Sequence, residues 1–169
     1  MSELERLWNG WRSTYLNGDD GAPAGEGSLF TRILSAGLSD VDSNIVHRGE
    51  TCFAILNAFP YGTGHLMVLP YREVADLELL YASEAAELWA MVTQAVSAVK
   101  TAYRPGGVNV GINLGASAGG SVSEHLHVHV LPRWTGDVNF ITAVANARTL
   151  PEPLDESARK IRAAWPAPG

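Results

Sequence analysis

Cysteine is almost absent from this chain: Cys52 is the single thiol among 169 residues. One thiol excludes an internal disulfide, leaves no thiolate set for a structural zinc site, and fits a reducing compartment. Positive charge is also scarce. Twelve Lys and Arg stand against 18 Asp and Glu, for a formal net charge of −6, which argues against a broad basic surface for nucleic acid. An anionic ligand would have to be met by local donors: backbone amides, imidazole, or an arginine such as Arg133. No run reaches the roughly 18 apolar residues of a membrane helix. Met1-Ser2-Glu3-Leu4-Glu5-Arg6 carries acids where a secretory leader carries a basic stretch. The expected compartment is therefore the cytoplasm, with no nucleic acid and no membrane as partner. An apolar fraction of 46% and a charged fraction of 18% fit one compact domain with some peripheral additions.

Leu4, Leu7, Trp8 and Trp11 recur at helical spacing and predict an amphipathic helix over residues 3–15. Residues 17–27 are rich in breakers and predict a loop. Residues 28–34 predict a helical turn, and residues 45–49 and 51–58 two strands around a turn at Gly49-Glu50. A loop at 60–64 precedes a strand from His65 that stops at Pro70. Leu88, Met91, Val92, Ala95, Val99 and Tyr103 mark a long helix with Ser83 as its expected N-cap, closed by Pro105-Gly106-Gly107. Residues 108–113 alternate as a strand with Asn109, Gly111 and Asn113 on one face. Residues 135–153 have no strong period, and a short helix is expected from Asp155 to Trp165. The pattern predicts an α+β fold with a mainly antiparallel sheet.

The stretch that demands chemistry is Glu124-His125-Leu126-His127-Val128-His129-Val130-Leu131. On a strand the three histidines would line one face, while Leu126, Val128 and Val130 would enter a core on the other. Three readings are open: polar decoration of a half-solvated strand, a metal site, or nucleophilic catalysis at phosphorus. The metal reading lacks thiolates and has no acid on the histidine face. The phosphorus reading uses one neutral imidazole as nucleophile and its neighbours as proton or hydrogen-bond donors. The preceding loop, Gly115-Ala-Ser-Ala-Gly119-Gly120-Ser121, supports it, because glycines let backbone amides approach phosphate oxygens and Ser117, Ser121 and Ser123 offer hydroxyls. Alternation alone does not choose among the three imidazoles.

With these residues in place, the chain resembles the histidine triad (HIT) family of nucleotide hydrolases and transferases. The motif His-φ-His-φ-His-φ-φ, with φ apolar, stands at His125 to Leu131. Asn113-x-Gly115 with Gly119-Gly120-Ser121 resembles the family's phosphate loop. Asn57, eight residues before His65, matches a ribose-contacting position, and Gly64-His65-Leu-Met-Val-Leu-Pro70 a strand whose histidine supports the triad. A closer resemblance, to the bacterial diadenosine tetraphosphate phosphorylase branch, runs through Leu7-Trp8, Asn57–Tyr61, Pro70–Val74, Asn113–Ser121, Glu124–His129, Pro132–Trp134 and Asn139–Thr142.

The resemblance implies a HIT-like fold with a five-stranded sheet, two main helices and terminal helical extensions. It divides the chain into an extension at 1–27, the HIT domain at 28–134 and a C-terminal extension at 135–169. It implies His127 as nucleophile, His129 as donor to phosphoryl oxygens or leaving group, and His125 with His65 as the supporting shell. Asn113, Gly115, Gly119, Gly120 and Ser121 would bind phosphate, and Trp134 would line the site. The spacing from Ser121 to His125 leaves both Ser121 and Ser123 as candidates to face the leaving group. Leu29, Phe30 and Ile33 match positions that enclose the base, with simple core packing as the alternative. Many relatives place Cys-x-x-Cys near the start of the domain to bind zinc. Ser28 and Thr31 stand there in this chain, so no metal is expected. No cofactor is expected either, beyond a divalent cation carried by the substrate's phosphates. The implied reaction is diadenosine tetraphosphate plus phosphate to ATP plus ADP through a nucleotidyl-His127 intermediate. Hydrolysis to AMP, phosphoramidate cleavage and a non-catalytic nucleotide sensor are the alternatives. The implied partners are dinucleoside polyphosphate, ATP, AMP and phosphate, within a homodimer or homotetramer.

Overall fold

The computed structural model describes residues 24–137 and 152–167. The expected helix at 3–15, part of the loop after it, and Asn139–Thr142 lie outside the described residues. The sheet is built from β1 (Ile45–Arg48), β2 (Cys52–Leu56), β3 (Leu66–Pro70), β4 (Gly107–Ile112) and β5 (Val128–Arg133), in the order β1-β2-β3-β5-β4. Every neighbouring pair is antiparallel. Among the described residues three α-helices accompany it: α1 (Leu29–Ser35), α2 (Ala82–Tyr103) and α3 (Leu154–Ala164). Among the described residues no helix is long and apolar enough to cross a membrane.

The middle of the sheet is covered on both faces, which is why β2 and β3 read as unbroken apolar runs rather than alternating ones. Cys52, Ala54, Leu56, Leu66, Val68, Leu126, Val128 and Val130 pack with Leu88, Met91, Val92, Ala95 and Val99 of α2. The interleaved residues Phe53, Ile55, Met67 and Leu69 form a second core with Phe30 of α1 and Val122.

Two expectations need correction. Helix α2 starts at Ala82 with Tyr81 as its N-cap, so Ser83 lies inside the first turn. The Glu84 carboxylate decides this by accepting from the Tyr81 N–H (2.9 Å) and pairing with Arg72 (2.6 Å). The histidine stretch is also less of a strand than its alternation implies, because β5 begins only at Val128. The β3–β5 ladder ends at Val68 opposite Val128. Beyond that, Pro70 has no N–H to offer a ladder. The Leu126 N–H donates instead to the Val74 carbonyl (2.6 Å). Sidedness survives the loss of the ladder, with Leu126 in the α2 core and His125 and His127 against Phe30.

Candidate active site

All three motif histidines, together with His65, converge on the face of the sheet that carries α1. They are not a solvated row: His65 and His125 are fully buried and His127 is 7% exposed. Burial holds each of the four below the ordinary histidine value of 6.5, His65 at about 3 and His129 at about 4. All four are therefore neutral near pH 7, and each carries one ring proton whose position its neighbours decide.

His127 Nδ1 lies 2.8 Å from the His125 carbonyl, an acceptor only. The proton must sit on Nδ1, which leaves the Nε2 lone pair free. His125 has the opposite arrangement. Its Nε2–H donates to the Pro70 carbonyl (2.9 Å), so Nδ1 accepts from the Ser28 hydroxyl (2.7 Å). His65 Nδ1 accepts from the Tyr61 backbone N–H at 3.0 Å, with the Asn57 amide nitrogen 3.4 Å away. His65 Nε2–H then donates to His129 Nδ1 (2.9 Å). His129 in turn must carry its proton on Nε2, which faces the Asn113 side-chain amide at 3.4 Å; that amide, turned oxygen-inward, accepts the proton. The result is one imidazole with a free lone pair next to one presenting an N–H, their rings 4.9 Å apart and nearly perpendicular. His65 supports His129, while His125 supports His127 through its carbonyl. The resemblance had grouped His65 with His125, and the bonds separate them.

A cleft opens over these rings. Leu29, Phe30, Ile33, Asn57, Asn113, Gly119, Ser121, His127 and His129 all line it. Phe30 touches both His125 (ring centroids 5.4 Å apart) and His127 (5.5 Å), so it serves as core and as wall. Residues given no site role from the sequence also line the cleft, among them Asn44, Phe59, Tyr61 and Met67. Tyr61 lies over His65 and His129, with centroids 4.6 and 5.7 Å away. Asn44, Phe59 and Tyr61 stand outside the strands and helices, where no periodicity marks a side chain, and Met67 reads as core.

Ser121 lines the cleft, whereas Gly115, Gly120, Ser123 and Trp134 do not. Gly115 adopts φ +75 and its carbonyl accepts from the amides of Ala118 (3.2 Å) and Gly120 (3.4 Å). A Cβ at Gly120 would come within 3.1 Å of that carbonyl. The Gly119 amide donates to the Ala116 carbonyl (3.0 Å). The loop's central amides thus close its own turns, which corrects the expectation that they form an open anion nest. Asn113 and Ser121 are the loop's polar side chains at the cleft. Trp134 shares the parity of Val128, Val130 and Pro132, and its ring meets Tyr103 of α2 edge-on (6.2 Å), on the sheet's other face.

A zinc ion does not fit at the start of α1. Ser28 and Thr31 are hydroxyls already engaged by His125 and by Glu73 (2.6 Å from Thr31), and neither is a ligand zinc favours.

Known proteins share this architecture. A Hit-like protein of Bartonella henselae superposes with a TM-score of 0.68 at 27% identity, over 83% of this chain and 97% of that one. A zinc-bound histidine triad family protein of Mycobacterium smegmatis gives 0.66 at 28%, over 82% and 92%. The AP-4-A phosphorylase of Mycobacterium tuberculosis is 45% identical over 168 residues, 96% of this chain and 85% of that protein. An asymmetrical bis(5'-nucleosyl)-tetraphosphatase of Schizosaccharomyces pombe is 33% identical over 57% of this chain and 53% of its own. Residues 39–136 match the HIT domain, and with the triad geometry described above the chain belongs to the HIT family.

Proposed function

We propose that this protein is an adenylyl-transferring phosphorylase of dinucleoside polyphosphates. The observation that carries the reading is the pairing of a free Nε2 lone pair on His127 with an Nε2–H on His129. His127 Nε2 attacks the α-phosphorus of diadenosine tetraphosphate, and the bond to the bridging oxygen breaks to release ATP. The His127 ring becomes cationic in the intermediate and keeps its Nδ1 proton on the His125 carbonyl. His129 Nε2–H stabilises the charge that spreads over the phosphoryl and leaving oxygens. Phosphate oxygen then attacks the adenylyl phosphorus, giving ADP and restoring neutral His127. Asn57 suits the ribose, while Asn113 and Ser121 suit the phosphates; Leu29, Phe30 and Ile33 suit the base. Phosphate rather than water as second nucleophile rests on the 45% identity to an AP-4-A phosphorylase.

The test is product analysis with and without phosphate. ADP plus ATP formed only with phosphate is the expected result. AMP plus ATP formed regardless would make the protein a hydrolase, as the tetraphosphatase likeness would have it. Binding without turnover would make it a sensor. The same reading includes a homodimer or homotetramer, supported by exposed Val110 and Leu114 at the β4 edge of the sheet. Light scattering at the mass of one chain would contradict that assembly.

A further inference from the structure

The phosphorylase reading makes no use of Glu73, an exposed residue outside the cleft. Its bonds nevertheless lead to the nucleophile. One carboxylate oxygen accepts from the Ser28 backbone N–H (2.7 Å) and from the Thr31 hydroxyl (2.6 Å). Those two residues cap α1: the Ser28 hydroxyl accepts from the Thr31 N–H (3.2 Å) and stands 3.1 Å from the Thr31 hydroxyl. The Thr31 proton is directed to Glu73. The Ser28 proton is left to point at His125 Nδ1, which can only accept because Nε2–H is held by Pro70. The His125 carbonyl then holds the Nδ1–H of His127. A second route runs through α1 itself, since Phe30 abuts both His125 and His127.

We propose that Glu73 is a positioning residue for the nucleophile, acting through Ser28 and His125 to fix the orientation of His127. The proposal rests on the reading of His127 as nucleophile. With Glu73 ionised and the imidazoles neutral, the arrangement that satisfies every acceptor sends the Thr31 proton to Glu73 and the Ser28 proton to His125 Nδ1. Without the carboxylate, the Ser28 N–H and the Thr31 hydroxyl turn to water. The Ser28 hydroxyl can then rotate towards Thr31, and His125 loses its donor. Ser28 is almost fully buried, so water replaces that donor poorly.

The test compares Glu73→Ala, Glu73→Gln, Ser28→Ala, Thr31→Val and the Ser28→Ala/Glu73→Ala double variant in the full chain, assayed well below their melting temperatures. Glu73→Ala is expected to lower kcat about tenfold while KM for the dinucleotide changes less than about threefold, as for lost transition-state positioning. Glu73→Gln, whose amide oxygen still accepts both bonds, is expected to keep activity within about twofold, and Thr31→Val to fall between. The double variant should match Ser28→Ala, because both changes act along one path. Wild-type kcat in Glu73→Ala, or multiplying losses in the double variant, overturns the proposal. Long-range 15N–1H spectra of the imidazoles give a readout that needs no substrate. His125 Nδ1 should show the shift of a hydrogen-bonded acceptor in the wild type and move towards that of an unbonded imidazole nitrogen in Glu73→Ala; an unchanged shift there also overturns it. If that spectrum changes as expected but the wild type turns over no dinucleotide, the positioning stands and the phosphorylase reading falls.

Discussion

At the scale of single residues, the site is a problem in proton placement. His127→Ala should retain the fold and lose turnover by a factor on the order of 10^4 or more, as for a deleted nucleophile, with product formation and circular dichroism as the paired measurements. His65→Phe should act differently. It keeps an aromatic volume and leaves His129 without the donor that fixes its tautomer, so kcat should fall by roughly 10^2- to 10^4-fold while dinucleotide binding persists. Equal losses in kcat and in affinity would assign His65 a purely structural part. The triad itself is plain in the residue order, because alternating imidazoles are an unusual expenditure of polar groups. Which imidazole attacks is not plain, because spacing carries no information about the His125 and Pro70 carbonyls or the Tyr61 amide. Those acceptors and donors come from the path of the main chain, and main-chain direction is not written in side-chain identity.

At the scale of elements, continuous apolar runs identify β2 and β3, and helical periodicity identifies α2, because burial imposes those patterns directly. Element ends are decided by competition that a sequence window does not contain. Ser83 is a sound N-cap by type, yet Glu84 places the cap at Tyr81 through the Arg72 ion pair. The histidine stretch alternates like a strand but leaves the ladder where Pro70 ends β3's ability to pair with β5. The turn into β3 has its own requirement. Gly64 adopts φ +71, and a Cβ there would lie 2.7 Å from the Tyr103 ring. Gly64→Ala should cost about 1–2 kcal/mol from backbone conformation alone, with more from displacing Tyr103. Because His65 is the next residue, kcat should fall along with the melting temperature; an unchanged kcat would show that the turn tolerates the shift.

At the scale of the whole molecule, three buried histidines and the half-buried His129, all neutral, make stability depend on pH in a definite sense. Their folded values lie below 6.5, so acid protonates the unfolded chain before the native one. Stability is fully present above about pH 6.5 and is lost as pH falls, towards about 4 for His129 and about 3 for His65. Between those limits each of these two histidines should remove about 1.4 kcal/mol per pH unit. Urea unfolding at several pH values reads that slope, and a flat profile from pH 7 to 5 would contradict the burial of the neutral forms. The order of protons at the site begins at the main-chain N–H of Tyr61. A peptide amide does not titrate in the physiological range, and replacing the side chain on its residue, proline aside, leaves it in place. The direction of the relay is thus inherited from the turn at 60–64, so drift at position 61 can retune the cleft without reversing which nitrogen of His129 carries the proton.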